Sequence, residues 1–149
     1  MFLALEKHKF IEAKIQRWLH TEPSVALLVA VVYFEWTVFR AILFISKRPN
    51  NEIRKDLAGV YGLSHYKDSW RNELKHLKEL QNLPQIVTNW KAVTDAFESR
   101  NRLVHGRDRF TRNMALPHVG AILKATAEIR EYCLQHGYDL ERRMPVRRK

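Results

Sequence analysis

The feature that most restricts the fold of this chain is one apolar segment, SVALLVAVVYFEWTVFRAILFI, which runs from Ser24 to Ile45. Its length approaches the roughly 20 residues of a membrane-spanning helix. However, Glu35 lies in the middle of the segment and Arg40 follows five residues later. Charged side chains at these depths are costly in lipid. The sequence therefore predicts a helix that is apolar nearly all round and buried at the centre of a helical domain.

Helical spacing of apolar residues continues on both sides of this segment, and no alternating strand pattern of useful length occurs. The sequence therefore predicts an all-α fold, a helical bundle of about five helices around the long apolar one. We expect one domain over residues 1–138, because 149 residues suit a single compact unit. The closing segment, residues 139–149, is basic and lacks a core-facing stripe, which predicts a mobile tail.

Charge and composition limit the kinds of partner and cofactor that the chain is expected to bind. The formal net charge of +10 favours a polyanion, with nucleic acid as the first candidate and an anionic membrane as the second. The single cysteine, Cys133, excludes an internal disulfide and fits a reducing compartment, so we expect a cytoplasmic protein. No zinc-ligand spacing and no glycine-rich phosphate loop occurs, so the sequence predicts neither a metal site nor a cofactor.

An Arg-Asn pair followed by His at one spacing occurs twice, in DSWRNELKHLKEL and in ESRNRLVHGRD. In the first copy, Asn72 and His76 fall on the side of a helix opposite Trp70, Leu74 and Leu77. The residues around them are mostly charged. The first copy is therefore expected to be a solvated helix face.

The second copy, Arg100, Asn101 and His105, is expected to lie where the core meets solvent. Arg100 and Asn101 fall within about 60° of the inward direction of their helix, and His105 falls at its edge. Asn101 and His105 are one turn apart, and Gly106 is a natural residue to end their helix. The end of a helix favours a protonated imidazole. A functional site and a network that only ties a helix end to the core both fit this arrangement. The inward direction is defined here by the apolar residues Trp90, Val93, Phe97 and Val104.

Glu35 is the lone carboxylate of the most apolar helix, and a buried carboxylate needs a partner or a proton. Arg100 is the candidate partner, and Arg40 is the local alternative. If Glu35 binds Arg100, the guanidinium is fixed in orientation, as a side chain that binds phosphate must be. A purely structural ion pair is the other interpretation.

The stretch RNRLVHG, together with the preceding helical plan, resembles the HEPN family, whose signature is Arg, often followed by Asn, and then His after four to six residues. The resemblance implies an all-α, metal-independent endoribonuclease, often a toxin or defence effector, in which two motifs face each other across a dimer. It implies catalytic roles for Arg100, Asn101 and His105, with Glu35 supporting them. One branch of the family carries Tyr two residues after the His, where a nucleotidyltransferase partner modifies it. This chain has Arg107 there instead.

The residues suit RNA chemistry, because RNA supplies its own nucleophile, the 2′-hydroxyl. His105 can act as general base or acid, and Arg100 can stabilise charge on the phosphate. Asn101 can hold His105 or contact the phosphate. The following loop would grip the RNA backbone through Arg107, Arg109 and Arg112.

We therefore expect a homodimeric RNase that cleaves RNA without metal, with an antitoxin or another regulatory protein as a further partner. The alternative is a non-catalytic HEPN-like module that binds RNA or a partner protein. A membrane-surface protein that uses its basic face is a third interpretation.

Overall fold

The predicted central helix is present as α2, Pro23–Ile45, in the computed structural model, which describes residues 7–77, 79–106 and 110–148. Pro23 occupies the first helical turn, where its missing N–H removes no hydrogen bond. Most of the apolar side chains of α2 are buried in the core, among them Phe34 and Ile42. By length and composition α2 could also cross a membrane, a test that the buried core helix of a folded domain passes as well.

The described residues form seven helices and no strand, so the all-α class is confirmed and the expected number of helices was too low. One of these helices, α5 at Leu83–Ile86, is only one turn long and begins at a capping box between Asn82 and Gln85. Besides α2, the helices are α1 His8–Thr21, α3 Asn50–Leu57, α4 Gly62–Leu74, α5 Leu83–Ile86, α6 Trp90–Val104 and α7 Arg112–Gln135.

The helices are arranged around α2, which packs most extensively on α7 and also contacts α1, α4 and α6. α6 and α7 pack on each other. The ring of Phe34 meets the ring of Phe97 edge-on, with centroids 5.7 Å apart, and this contact joins α2 to α6. Helix α6, which carries the second motif copy, therefore packs directly on the central helix.

Helix α4 ends at Leu74, whereas the spacing of Trp70, Leu74 and Leu77 predicted a helix that includes Leu77. The indole N–H of Trp70 donates to the carbonyl of Gln81 at 3.0 Å, so the chain after α4 folds back beside Trp70. Leu77 is half-buried from within this connection, and His76 lies outside the helix.

The segment expected to form a mobile tail, 139–149, packs on α2 over its described part, 139–148. Leu140 is only 7% exposed. Arg40 of α2 donates to the carbonyls of Leu140 and Arg142. In return, Arg147 donates to the carbonyls of Leu43 and Arg48. Arg40 is thereby engaged with the tail, which leaves Arg100 as the partner of Glu35.

Candidate functional site

Helix α6 carries the second motif copy, and residues next to each of its ends cap it. The side chain of Asn89 accepts from the N–H of Ala92 at 3.1 Å and caps the start. At the other end, the N–H of His105 donates to the carbonyl of Asn101 at 3.1 Å. Gly106 follows with a φ of +65°, the left-handed conformation that ends many helices. The expected stop at Gly106 is confirmed.

The buried face of α6 is rotated from the one that the apolar stripe predicted. Val104, which helped to define the inward direction, is 58% exposed. Two small residues, Ala96 and Ser99, are buried instead, next to Val93 and Phe97. Small side chains let α6 approach its neighbours closely, but they contribute little to an apolar stripe. The prediction that set Val104 in the core is therefore wrong.

Arg100 lies within this rotated face and contacts Glu35 of α2. Its Nη2 lies 3.5 Å from Oε1 of Glu35, and the two side chains are 24% and 20% exposed. The guanidinium also lies over the ring of Phe97, 5.7 Å from its centroid. The expected pairing of Glu35 with Arg100 is confirmed. At 3.5 Å it is a long charge contact rather than a short bidentate bridge.

Burial dominates the electrostatics of Glu35. Desolvation raises the pKa of this carboxyl above its usual range, and the nearby Arg100 offsets only part of that rise. Burial, with a smaller contribution from the charge of Glu35, also raises the pKa of Tyr66 on α4 to about 12. Sequence reasoning missed Tyr66, which belongs to the same half-buried environment as the pair.

Asn101 and His105 are exposed and do not share the environment of Arg100. Residues five positions apart on a helix point about 140° away from each other, so Arg100 and His105 leave α6 in different directions. The expectation that Asn101 would lie within about 60° of the inward direction is wrong, because the buried face lies on the side of Ala96. One chain thus brings Glu35 and Arg100 together and leaves His105 open to solvent.

The basic loop after the motif is described only in part. Arg107 and Arg109 lie outside the described residues. Arg112 is the exposed first residue of α7, immediately after Thr111, whose side chain accepts from the N–H of Met114 at 3.3 Å.

Beside this loop, His118 stacks on Phe110 with ring centroids 6.5 Å apart. Burial lowers the pKa of His118, while the charge of Asp95 raises it and that of Arg102 lowers it. The sequence analysis did not single out His118, because nothing in its spacing marks it.

The first motif copy is solvent-facing as expected, since Asn72 and His76 are exposed. Their neighbour Glu73 is not. Its side chain is 15% exposed and accepts from Arg48 and from the hydroxyl of Ser46. Asn72, Glu73 and His76 line a cleft of about 580 Å³, which the helical pattern alone did not reveal.

Among the described residues, no group of three or more His, Cys, Asp or Glu side chains is placed to hold a metal ion. Comparison of the chain with protein-family models, with curated proteins and with solved structures gives no match.

Proposed function

We propose that this protein is a cytoplasmic, metal-independent endoribonuclease that cleaves RNA through attack of the 2′-hydroxyl, in the role of a toxin or a defence effector. One observation carries the proposal. A guanidinium, Arg100, is held half-buried by Glu35 and Phe97 on the helix that ends in an exposed histidine, His105. The resemblance of RNRLVHG to the HEPN motif supports the same chemistry.

Arg100 would bind the phosphate of the RNA. Its position is restricted by Glu35 on one side and by the ring of Phe97 on the other, so little side-chain freedom is lost when a ligand binds. Among the described residues, its Nε is a buried donor without a hydrogen-bond partner. Leaving such a donor unsatisfied costs about 1–3 kcal/mol. Unsatisfied groups of this kind call for a special explanation, and a ligand-binding role for the guanidinium is one.

His105 would transfer protons. The 2′-oxygen forms a bond to phosphorus as the bond from phosphorus to the 5′-oxygen breaks. The imidazole of His105 accepts the proton of the 2′-hydroxyl, and the leaving 5′-oxygen takes a proton from water. An exposed position at a helix end gives RNA access to His105. The product is a 2′,3′-cyclic phosphate and a 5′-hydroxyl.

Two copies of the chain would complete the site. Because Arg100 and His105 leave α6 in different directions, one chain alone does not direct both at one phosphate. Exposed apolar residues lie one turn from each member of the ion pair: Val104 after Arg100, 58% exposed, and Val32 before Glu35, 39% exposed. A second copy that covers these residues would bring its His105 towards the first copy's Arg100.

A non-catalytic RNA- or partner-binding module is the second candidate function. It is favoured by the inward position of Arg100, whose side chain is only 24% exposed, because a structural ion pair has the same geometry. In that case the net charge of +10 would serve binding alone.

Cleavage of end-labelled RNA by purified protein in excess chelator separates the two candidates. We expect cuts that end in a 2′,3′-cyclic phosphate, and we expect one 2′-deoxy substitution at a cut position to abolish that cut alone. Retention of intact RNA would favour the binding module. Loss of cleavage in chelator, or equal cleavage of DNA, would contradict the mechanism.

A further inference from the structure

Three clefts that share lining residues lie next to one another at the ends of α2, α4 and α7. The first, about 580 Å³, lies between the α2–α3 connection and the end of α4. The second, about 430 Å³, shares His76 and Leu77 with the first. The third, about 460 Å³, shares Tyr138 with the second and is lined largely by the tail. We call the three clefts together the C-terminal groove.

Exposed cations stand at both ends of the C-terminal groove. Lys47 and Lys75 line the first cleft, and Arg143 lines the third. Within the described part of the chain, these three side chains form no ion pair. The middle cleft contributes one exposed carboxylate, Glu79. Three unpaired cations on an open surface favour an anionic ligand.

The other carboxylates of the groove are already bound by arginine. Arg48 donates to Asp56 at 2.7 Å and also to Glu73. Arg142 lies 3.3 Å from Asp139. Because these acids are compensated, they oppose an incoming anion less than free carboxylates would.

Flat side chains occupy the middle of the groove. His76, His136 and Tyr138 line the second cleft between the two cationic ends. Proteins hold single-stranded nucleic acid in this way, with bases stacked on rings and phosphates beside cations. A duplex keeps its bases stacked inside the helix and offers the rings no free base face.

We propose that the C-terminal groove binds single-stranded RNA, as a contact surface separate from the motif. The inference rests on the proposed function for its choice of RNA as the ligand. The groove lies at the C-terminal end of α7, whose 24 residues extend about 36 Å from the end that follows the motif loop. RNA that fills the groove therefore lies far from His105, and binding there is separable from cleavage.

The test measures binding of a fluorescent, mixed-sequence single-stranded RNA whose 2′-hydroxyls are replaced by 2′-O-methyl groups, so that it stays intact. Anisotropy is followed across a salt series for the parent and for the triple variant Lys47→Ala, Lys75→Ala and Arg143→Ala. A control triple, Lys9→Ala, Arg17→Ala and Lys124→Ala, removes the same charge from α1 and from the middle of α7.

We expect the groove triple to bind about tenfold or more weakly and to show a salt slope shallower by about two, at roughly 0.7 for each lost phosphate contact. The control triple should stay within about threefold of the parent. Circular dichroism reports whether each variant is folded. Photo-cross-linking of the parent to 4-thiouridine RNA should mark peptides that contain His76 or Tyr138, and it requires no variant.

Equal binding by the two triples, or the absence of cross-links to the groove, would overturn the inference even if the protein cleaves RNA. Loss of binding to vesicles of anionic lipid in the groove triple, without any loss of RNA binding, would reassign the groove to a membrane and overturn it too. Groove-dependent binding by a protein that never cleaves RNA would sustain the inference while the proposed function fails.

Discussion

Nη2 of Arg100 lies 3.5 Å from Oε1 of Glu35, and this contact joins α6 to the central helix α2 in a half-buried environment. Burial raises the pKa of Glu35 more than Arg100 lowers it, so folding disfavours the ionised carboxylate. The pair therefore adds little stability at neutral pH. Its main effect is to restrict where the guanidinium of Arg100 can lie.

The raised pKa of Glu35 predicts a pH dependence of stability. The folded protein holds this proton more tightly than the unfolded chain, whose carboxyl has the usual value of 4.5. The stabilisation is complete below that value and is lost as pH rises through the raised pKa. Glu35→Gln stays neutral and lacks this loss. As pH rises from about 4.5 through the raised pKa, the free energy of unfolding of Glu35→Gln should therefore increase relative to that of the parent. Urea titrations across this range measure the difference, and a decreasing gap would contradict the assignment.

Replacement of Arg100 separates its role in stability from its role in catalysis. Arg100→Ala leaves Glu35 half-buried without its partner, and we expect it to reduce stability by about 1 kcal/mol, a value discounted for partial exposure. Cleavage should also slow, because the transition state loses about 3 kcal/mol of stabilisation. The double variant Arg100→Ala with Glu35→Gln should regain the stability but not the cleavage.

Urea titration and single-turnover cleavage of the same samples report the two quantities. Arg100→Lys keeps the charge but loses the planar fork, and it should cleave at an intermediate rate. If the double variant recovered cleavage together with stability, Arg100 would be a structural residue only.

A composite site predicts complementation between two inactive variants. Sedimentation at micromolar concentration should show a dimer. Arg100→Ala and His105→Ala should each be inactive alone. When they are mixed and allowed to exchange, half of the dimers pair an intact Arg100 from one copy with an intact His105 from the other. The mixture should then cleave RNA well above the sum of its parts. A strict monomer that cleaves RNA, or a mixture that stays inactive, would rule out the shared site.

Arg112 should contact the RNA backbone rather than the bases. Arg112→Ala is expected to weaken binding similarly for unrelated RNA sequences and to make the salt slope shallower by about 0.7. Lys124→Ala, further along α7, is the charge-matched control. Binding isotherms on several RNAs test this, and an altered sequence preference at unchanged slope would argue for a base contact.

The sequence was informative where a single residue contradicted its surroundings. Glu35 lies in an apolar helix, so it was expected to pair with a cation, and it pairs with Arg100. A glycine directly after an amphipathic pattern marked the end of α6. Both inferences need only local chemistry. The Phe34–Phe97 contact, by contrast, depends on how two whole helices are placed.

The errors have a common physical origin in contacts that leave no periodic pattern. The buried face of α6 includes Ala96 and Ser99, whose small size matters only once neighbouring helices are in place. The tail is held by hydrogen bonds from Arg40 and Arg147 to backbone carbonyls, and any sequence offers such carbonyls. The end of α4 depends on the Trp70–Gln81 contact, across a connection whose length and path the sequence does not specify.

The measurement that tests the central claim most directly is single-turnover RNA cleavage, in chelator, by the parent, by His105→Ala and by His20→Ala. His20 is an exposed histidine near the end of α1 and serves as the matched control. Circular dichroism confirms native helix content in each sample. Loss of the proton-transfer group should slow cleavage by His105→Ala at least about a hundredfold, while His20→Ala stays within a few-fold of the parent. Cleavage by a folded His105→Ala at the parental rate would contradict the account.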